Sequence, residues 1–176
     1  MRILCCYTRL CPATRRALSE HAPGAELADV SGDPYAYWRE ICARWTGKDD
    51  LLTVEHDIEI HGTVLPGFTA CPEPWCVYPY ELHPGRWIDF GLGCTRFRPA
   101  AQLAASPDAI QAKPGLCSRC HGQPGCWAHL DCKIYWAMTE AGIERHVHWP
   151  AVMHHHGSPP VDGPVAWQRI APLEVQ

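Results

Sequence analysis

The first half of the chain alternates short apolar runs with helical periodicity. Residues 2–7 form an apolar run that predicts a buried strand, and the segment beginning at Pro12 predicts a helix with proline in its first turn. Another strand is expected at residues 25–30, before turn-forming residues that end at Pro34. After Pro34, apolar side chains recur at helical spacing, which predicts a second helix. This stripe consists of Trp38, Ile41, Cys42 and Trp45.

The second half is expected to continue this alternation. The apolar run at residues 51–54 predicts a third strand, whereas the proline-rich residues 66–76 are expected to form turns. Further elements are predicted downstream: strands at 77–78 and 87–90, a loop leading into a strand at 91–97, helices at 99–105 and 129–141, and a strand at 146–149. The proline-rich residues from 157 onward are expected to be irregular.

Strands and helices joined by short loops are typical of α/β folds. We therefore expect a mixed, mostly parallel sheet flanked by helices, related to the Rossmann fold. A single domain would span residues 1–156 and include a cysteine-rich loop at 113–132. Residues 157–176 would form a proline-rich C-terminal tail.

Length and charge narrow the function classes. The chain has 176 residues, which suits one domain, and its apolar runs stay well short of the ~18 residues that cross a bilayer. Arginines interrupt the first apolar run before a signal peptide could form, so we expect a cytoplasmic protein without a membrane partner. The net charge of −4 argues against binding nucleic acid by bulk electrostatics, although Arg96 and Arg98 could still contact phosphates locally.

Acidic residues directly follow the third predicted strand. Residues 51–54 lead without a turn residue into Glu55, His56, Asp57, Ile58 and Glu59. Ligands of open α/β sheets bind at the carboxyl ends of the strands. If the strand continues, Glu55 and Asp57 lie on one face, about 6.6 Å apart, and can bind one divalent cation. A solvated strand end is the alternative.

This segment resembles the metal-binding motif of the GT-A class of nucleotide-sugar glycosyltransferases. Val54-Glu55-His56-Asp57-Ile58, followed by Pro66-Gly67-Phe68, is similar to the Glu-Asp-Asp motif, turn and helix of some of its families, with His56 in place of the middle acid. The resemblance implies a GT-A-like fold. It also implies that Asp57 binds Mn²⁺ or Mg²⁺ and that Glu55 faces the nucleotide or supports the metal site. Asp57-Ile58-Glu59 is an alternative frame of the motif.

The resemblance also implies where the nucleotide-sugar donor and the acceptor bind. Tyr7, Thr8 and Arg9 follow the first strand, where the base and ribose lie in this class. Residues 91–97 are similar to the stretch that contacts the donor or acceptor sugar. Arg9 or Arg15 could pair with a phosphate, since a guanidinium binds phosphate oxygens in a bidentate manner.

Asp131 is the candidate general base. It lies near the start of the helix predicted at 129–141, where the helix dipole and free N–H groups favour an ionised carboxylate. An inverting sugar transfer needs such a base and a retaining transfer does not. An ordinary acid in the first turn of a helix is the alternative.

Three consecutive histidines near the end of the chain offer further ligands. In an extended segment His154 and His156 face the same way and could complete the coordination begun by Asp57, as a late histidine often does in the GT-A class. A polar, partly exposed run is the alternative. His146 and His148 also alternate in a predicted strand, where a place in the core or on the surface is favoured over ligation.

Four cysteines have the spacing of a metal site, C-x2-C-x5-C-x5-C. They are Cys117, Cys120, Cys126 and Cys132. A C-x2-C turn flanked by glycine and proline can bind Zn²⁺, and a structural Zn²⁺ would order a loop that has few apolar residues. His121 or His129 could replace one cysteine, and unliganded thiols are the alternative. Cys71 and Cys76 flank a proline-rich turn and are interpreted as small buried hydrophobic side chains.

Two hypotheses of different classes follow. The first is a metal-dependent glycosyltransferase that moves a sugar from a nucleotide-sugar donor to a hydroxyl acceptor. The overall spacing is similar to that of small glycosyltransferase-like proteins of actinobacterial phages, which implies a modified base in phage DNA as acceptor and the host cytoplasm as location. The second hypothesis is a non-enzymatic zinc-binding module built around residues 117–132.

Overall fold

A computed structural model describes residues 1–33, 35–113, 130–158 and 166–170. Its elements, in chain order, are β1 (Arg2–Tyr7), α1 (Pro12–His21), β2 (Glu26–Asp29), α2 (Ala36–Arg44), β3 (Leu51–Val54), β4 (Ile58–Glu59), α3 (Val64–Ala70), β5 (Trp75–Val77), β6 (Tyr80–His83), β7 (Arg86–Ile88), β8 (Cys94–Phe97), α4 (Pro99–Ala104), α5 (Pro107–Gln111), α6 (Leu130–Glu140), β9 (Arg145–Val147), β10 (Met153–Ser158) and β11 (Ala166–Ile170). Within these ranges, no helix is long and apolar enough to cross a membrane.

Six strands form the central sheet, in the order β2-β1-β3-β8-β5-β9. Strand β1 pairs in parallel with both β2 and β3, and β5 pairs in parallel with β9. Strand β8 lies between β3 and β5 and is antiparallel to both. Five strands therefore run in one direction and one runs against them, which confirms the predicted mixed, mostly parallel sheet.

The alternation of side chains along the strands divides the core between the two faces of the sheet. Leu4 and Leu51 contribute to one cluster, together with buried residues of α2, α4, α5 and α6. Their neighbours Cys5 and Leu52 contribute to the other cluster, together with buried residues of α1 and α3. Each face of the sheet is apolar and is covered by helices, as expected for an α/β fold.

Two small sheets lie beside the central one. Strand β10 pairs antiparallel with β4 and with β11, and β6 pairs with β7 as a hairpin. The expectation of an irregular segment after residue 157 was wrong for Ala166–Ile170, because this proline-free stretch pairs along β10 from His154 to Ser158.

The expectation of turns at residues 66–76 was also wrong for the first part of that segment, where α3 covers Val64–Ala70. Pro66 falls in the first turn of this helix, where a backbone N–H has no partner within the helix, so proline is tolerated. Val64 and Phe68 are one turn apart and fully buried, and this apolar pair anchors the helix to the sheet.

Candidate functional site

A crevice opens at the centre of the sheet, where the strand order reverses. From β1 the chain passes through α1 to β2 on one side, and then through α2 to β3 on the other side of β1. At such a switch point the loops after two adjacent parallel strands diverge and leave room for a ligand at their carboxyl ends. A cavity of about 170 Å³ occupies this place. Its lining residues are Cys6, Tyr7, Thr8, Val30, Asp33, Tyr37, Glu55, His56, Leu130 and Asp131.

Glu55 is the first residue after β3, and its carboxylate faces this cavity. The backbone N–H of Glu55 donates to the carbonyl oxygen of Gly93 at 2.8 Å, which fixes the point where the strand ends. The hydroxyls of Tyr80 and Tyr37 donate to its carboxylate. Burial, and then the negative charges of Asp131 and Asp57, hold the pKa of Glu55 well above its usual range.

Asp131 reaches the same cavity from the first turn of α6. The backbone N–H of Leu92 donates to Asp131 Oδ1 at 2.9 Å, and burial raises the pKa of Asp131 to about 6. Gly91 makes this contact possible, because it has φ of +91° and an added Cβ would lie 2.7 Å from Asp131 Cγ. The sequence therefore brings a loop backbone directly against the Asp131 carboxylate.

Asp57 faces a second cavity of about 280 Å³, beside the first. The residues that line it are Thr8, Arg9, His56, Asp57, Leu82, His154, His156, Gly157 and Trp167. The two cavities share Thr8 and His56, and we refer to them together as the acidic cleft.

His154 lies beside Asp57, with 3.4 Å between His154 Nε2 and Asp57 Oδ2. The pairing of His154 with Ile58 across β10 and β4 fixes this arrangement, as does a 2.8 Å hydrogen bond from the His155 N–H to the Asp57 carbonyl. His154 is 3% exposed, and its Nδ1 has no hydrogen-bond partner in the part of the chain that the structure describes. His156 lines the cavity further along the same strand face, as the alternation predicted.

The acids do not continue an extended strand. Strand β3 ends at Val54, opposite Cys94 of β8, and residues 55–57 then form a turn closed by a 3.1 Å bond from the Ile58 N–H to the Glu55 carbonyl. Glu55 and Asp57 consequently face adjacent cavities rather than one face of a strand. The expected geometry was wrong because the chain turns after a last bond from the Glu55 N–H to the Gly93 carbonyl, just before the start of β8.

The other residues singled out in the sequence lie in different places. Tyr7 and Thr8 line the first cavity and Arg9 lines the second, whereas the exposed Arg15 lies on α1 and lines neither. Cys132 lies in α6, next to Asp131, and burial raises the pKa of its thiol. The remaining cysteines of the predicted zinc motif lie outside the described residues; they are Cys117, Cys120 and Cys126.

Sequence reasoning missed three partners of the carboxylates. They are the hydroxyls of Tyr37 and Tyr80 and the backbone N–H of Leu92. Tyr37 stands among the aromatic residues at the start of α2, and Tyr80 begins β6; a tyrosine within an otherwise apolar stretch is a weak signal of a buried hydrogen bond. A backbone donor leaves no mark on the sequence apart from the glycine beside it.

A cluster of potential metal ligands lies on the face of the sheet, apart from the acidic cleft. One ligand atom each from Cys71, His146 and His148 lies within 4.8 Å of the others. A thiol and two imidazoles fit Zn²⁺ rather than Mn²⁺, which prefers oxygen ligands. Burial lowers the pKa of His148, and the positive charges of His146 and Arg96 lower it further, so its imidazole is kept in the neutral form that binds metals.

Comparisons with known proteins inform the fold alone. No family model matches the sequence, and no curated protein matches it. The structure is similar to the crystal structure of A197 from STIV, with a TM-score of 0.53 and 12% sequence identity, over 100% of this chain and 98% of that chain. At this identity the similarity concerns the arrangement of the helices and strands and does not extend to activity.

Proposed function

We propose that this protein is a metal-dependent glycosyltransferase of the GT-A class, which moves a sugar from a nucleotide-sugar donor to a hydroxyl acceptor. One observation carries the proposal: Glu55, Asp57 and Asp131 gather at the switch point of the sheet. In the described part of the chain, no lysine or arginine forms an ion pair with these three carboxylates. The cluster therefore has an excess of negative charge beside an open cavity.

Such a cluster is unfavourable for folding. Like charges in a partly buried site repel each other, and burial further opposes ionisation, as the raised pKa values of Glu55 and Asp131 indicate. Groups with perturbed pKa values in a cleft are candidates for catalysis or ligand binding. A divalent cation and a ligand that it accompanies would remove the repulsion.

The residues around Asp57 fit a hard divalent cation. His154 Nε2 and Asp57 Oδ2 lie 3.4 Å apart, close to the separation of about 3 Å between neighbouring ligands of an octahedral ion. Carboxylate oxygen and imidazole nitrogen are both suitable donors for Mn²⁺. When bound, Mn²⁺ or Mg²⁺ would neutralise the charge that develops on a departing nucleoside diphosphate.

The rest of the acidic cleft suits the donor. Tyr37 offers an aromatic ring, and Asp33 offers a carboxylate whose pKa is lowered by hydrogen bonds from Arg39 and the Tyr35 backbone, so it can accept bonds from ribose hydroxyls. Arg9 lines the second cavity, where its guanidinium would pair with a phosphate of the donor. Because each cavity is smaller than the roughly 300 Å³ of a small ligand pocket, an elongated donor would occupy both.

Asp131 has the properties of a general base. Its pKa of about 6 leaves the carboxylate ionised at neutral pH while keeping it close to the range in which proton acceptance is most efficient. The Leu92 N–H orients Asp131 Oδ1. In an inverting displacement, the oxygen of the acceptor hydroxyl would attack the sugar while Asp131 accepts the proton of that hydroxyl. A modified base in DNA stays a prediction for the identity of that acceptor.

A donor-binding panel tests the proposal. Isothermal titration of the purified protein with nucleotide sugars that differ in base and sugar, with and without Mn²⁺, should identify a donor whose binding requires the metal. The Glu55→Gln variant should change that affinity, whereas Glu20→Gln, a matched change at an exposed position of α1, should not. Absence of binding to every donor in both conditions would remove the glycosyltransferase interpretation.

A further inference from the structure

We propose that Cys71, Cys76, His146 and His148 form a structural Zn²⁺ site on the face of the central sheet. Ligand atoms of Cys71, His146 and His148 lie within 4.8 Å of one another, and Cys76 Sγ lies 2.7 Å from Cys71 Sγ. Two thiolates and two imidazoles are a common ligand set of structural zinc. This site is separate from the acidic cleft and does not depend on the proposed function.

The fold brings these residues together from distant parts of the chain. Cys71 directly follows α3, and Cys76 lies in β5. Strand β9 pairs in parallel with β5, in a register that places His146 opposite Cys76. His148 lies two residues further along, so it faces the same side as His146. Its position is fixed by a 2.8 Å hydrogen bond from its backbone N–H to the Val77 carbonyl.

The distances suit zinc after a small closing movement. Bonds of about 2.0–2.3 Å in a tetrahedron place neighbouring ligand atoms roughly 3.3–3.8 Å apart. The three atoms within 4.8 Å are somewhat more open than this, and Cys76 Sγ, which is not one of these three atoms, lies somewhat closer to Cys71 Sγ. Zn²⁺ would displace the thiol protons of Cys71 and Cys76 into solvent and draw the four donors to one centre.

The surroundings of the cluster support a metal. Arg96 is fully buried, and its Nη2 donates to Cys76 Sγ at 3.0 Å, which would stabilise a zinc-bound thiolate. The ring of His148 stacks on Tyr78, with 4.9 Å between the ring centres, so its orientation is restricted. His148 Nε2 is buried and lacks a hydrogen-bond partner among the described residues, and a buried polar atom of this kind is costly unless something satisfies it.

Zinc at this place would fasten the edge of the sheet. Strand β9 has only three residues, and among the described residues it pairs with β5 alone in the central sheet. The ligands of the bound zinc would connect β9 to β5 and to the end of α3. The chain then continues to β10, which carries His154. The zinc site therefore stabilises the segment that leads into the acidic cleft without contacting a substrate.

Metal analysis of the full chain tests this proposal. We would purify the protein under reducing conditions from zinc-supplemented medium and measure its zinc content by mass spectrometry and its zinc affinity by competition with a chromophoric chelator. Because His146 is exposed, His146→Ala should fold, yet it should lose one equivalent of zinc or bind it at least tenfold more weakly. His21→Ala serves as the matched control and should leave zinc binding unchanged.

Two further measurements distinguish zinc at this site from zinc bound elsewhere in the chain. In Co²⁺-substituted protein, Cys71→Ser should weaken the sulfur-to-metal charge-transfer absorption, whereas Cys42→Ser should not. A double substitution of Cys117 and Cys120 by serine should leave the equivalent bound near His146 in place. Any of three results would overturn the proposal. The first is equal zinc binding by wild type and His146→Ala, and the second is zinc loss only in the Cys117 and Cys120 variant. The third is a zinc-free protein whose mass is lower by two hydrogens because Cys71 and Cys76 form a disulfide.

Discussion

The acidic cleft and the cysteine–histidine cluster belong to the same sheet but differ in every property that decides how a metal behaves. The cleft lies at the carboxyl ends of β1 and β3, where carboxylates face open cavities. The cluster lies on the face of the sheet beside the buried side chains of Phe68 and Tyr78. Oxygen donors beside a cavity allow ligands to exchange, whereas thiolate and imidazole ligands would close the coordination of the proposed zinc site.

The difference also concerns charge. In the cleft, burial and the charges of Asp131 and Asp57 raise the pKa of Glu55, burial raises the pKa of Asp131, and no lysine or arginine is paired with these carboxylates among the described residues. In the cluster, the buried Arg96 already contacts Cys76 and lies 3.6 Å from Asp50. Under the proposed function, the first arrangement lowers stability in return for a reactive site, whereas the polar groups of the second would hold strands together. The two sites should therefore respond differently to mutation.

The largest effect is expected for turnover by Asp131→Asn. This change keeps an acceptor for the Leu92 N–H but removes the proton-accepting carboxylate. Turnover should fall by about 10²–10⁴-fold, while donor affinity measured by titration should stay within a few-fold. Asp108→Asn, a matched change in the first turn of α5, should leave both quantities unaltered. Turnover within tenfold of wild type would show that Asp131 is not the base.

The second prediction compares one substitution in each site by its effects on donor binding and on zinc content. Asp57→Asn should weaken Mn²⁺-dependent donor binding by about 100-fold, because a ligand of the cation is lost, and should leave bound zinc unchanged. At low temperature, where the fold is intact, His146→Ala should lose zinc and keep its Mn²⁺-dependent affinity for the donor. Titration with the donor and metal analysis of the same preparations check both halves. If Asp57→Asn loses zinc and keeps donor affinity, the functional division between the sites is wrong.

A third prediction concerns stability and pH. The pKa of Asp131 is raised from 3.8 to about 6, so the folded state binds more protons than the unfolded state between these values. The raised pKa of Asp131 therefore contributes to the free energy of unfolding below about pH 4, and this contribution is lost as the pH rises through 6. An asparagine resembles the protonated acid at every pH. Asp131→Asn should therefore be more stable than wild type by about 1–3 kcal/mol at pH 8.

Denaturant unfolding at several pH values, without added Mn²⁺ or Mg²⁺, measures this difference. The advantage of Asp131→Asn should shrink below pH 6 and vanish near pH 4, whereas Asp108→Asn should follow the wild type throughout. A variant that is both more stable and inactive would mark Asp131 as a position kept for function. A constant or reversed difference across this range would contradict the burial of the carboxyl group.

Local sequence signals predicted the parts of the molecule that depend on neighbouring residues. Apolar runs and helical stripes predicted strands β1–β3 and helices α1 and α2, and an apolar run leading into acids predicted the position of Glu55 and Asp57 beyond β3. The alternation of His154 and His156 correctly predicted that both would face the same way, and both line the second cavity. These inferences needed only the period of a strand or helix and the preference of ligands for strand ends.

Features that depend on tertiary pairing escaped sequence reasoning. The turn at residues 55–57 follows from the place where β8 stops pairing with β3, and the tyrosine hydroxyls on Glu55 come from α2 and β6. Cys71 and His146 are separated by more than seventy positions, and only the register of β5 with β9 brings them together. Short spacings selected the cysteines after residue 116, whereas Cys71, Cys76, His146 and His148 were expected in the core or on the surface, because nothing local in the sequence shows that they meet.

The smallest effect is expected from the backbone that supports Asp131. Gly91→Ala combines an unfavourable positive φ with a Cβ 2.7 Å from Asp131 Cγ, so the carboxylate must shift. Turnover should fall by about tenfold, since small displacements of a catalytic group reduce rate. Gly85→Ala is the matched control: its φ of +81° imposes a similar strain of about 1–2 kcal/mol, but an added Cβ meets nothing within 4 Å. Equal loss of stability with unequal loss of turnover would assign the difference to the position of Asp131, and equal turnover in the two variants would remove Asp131 from the reaction.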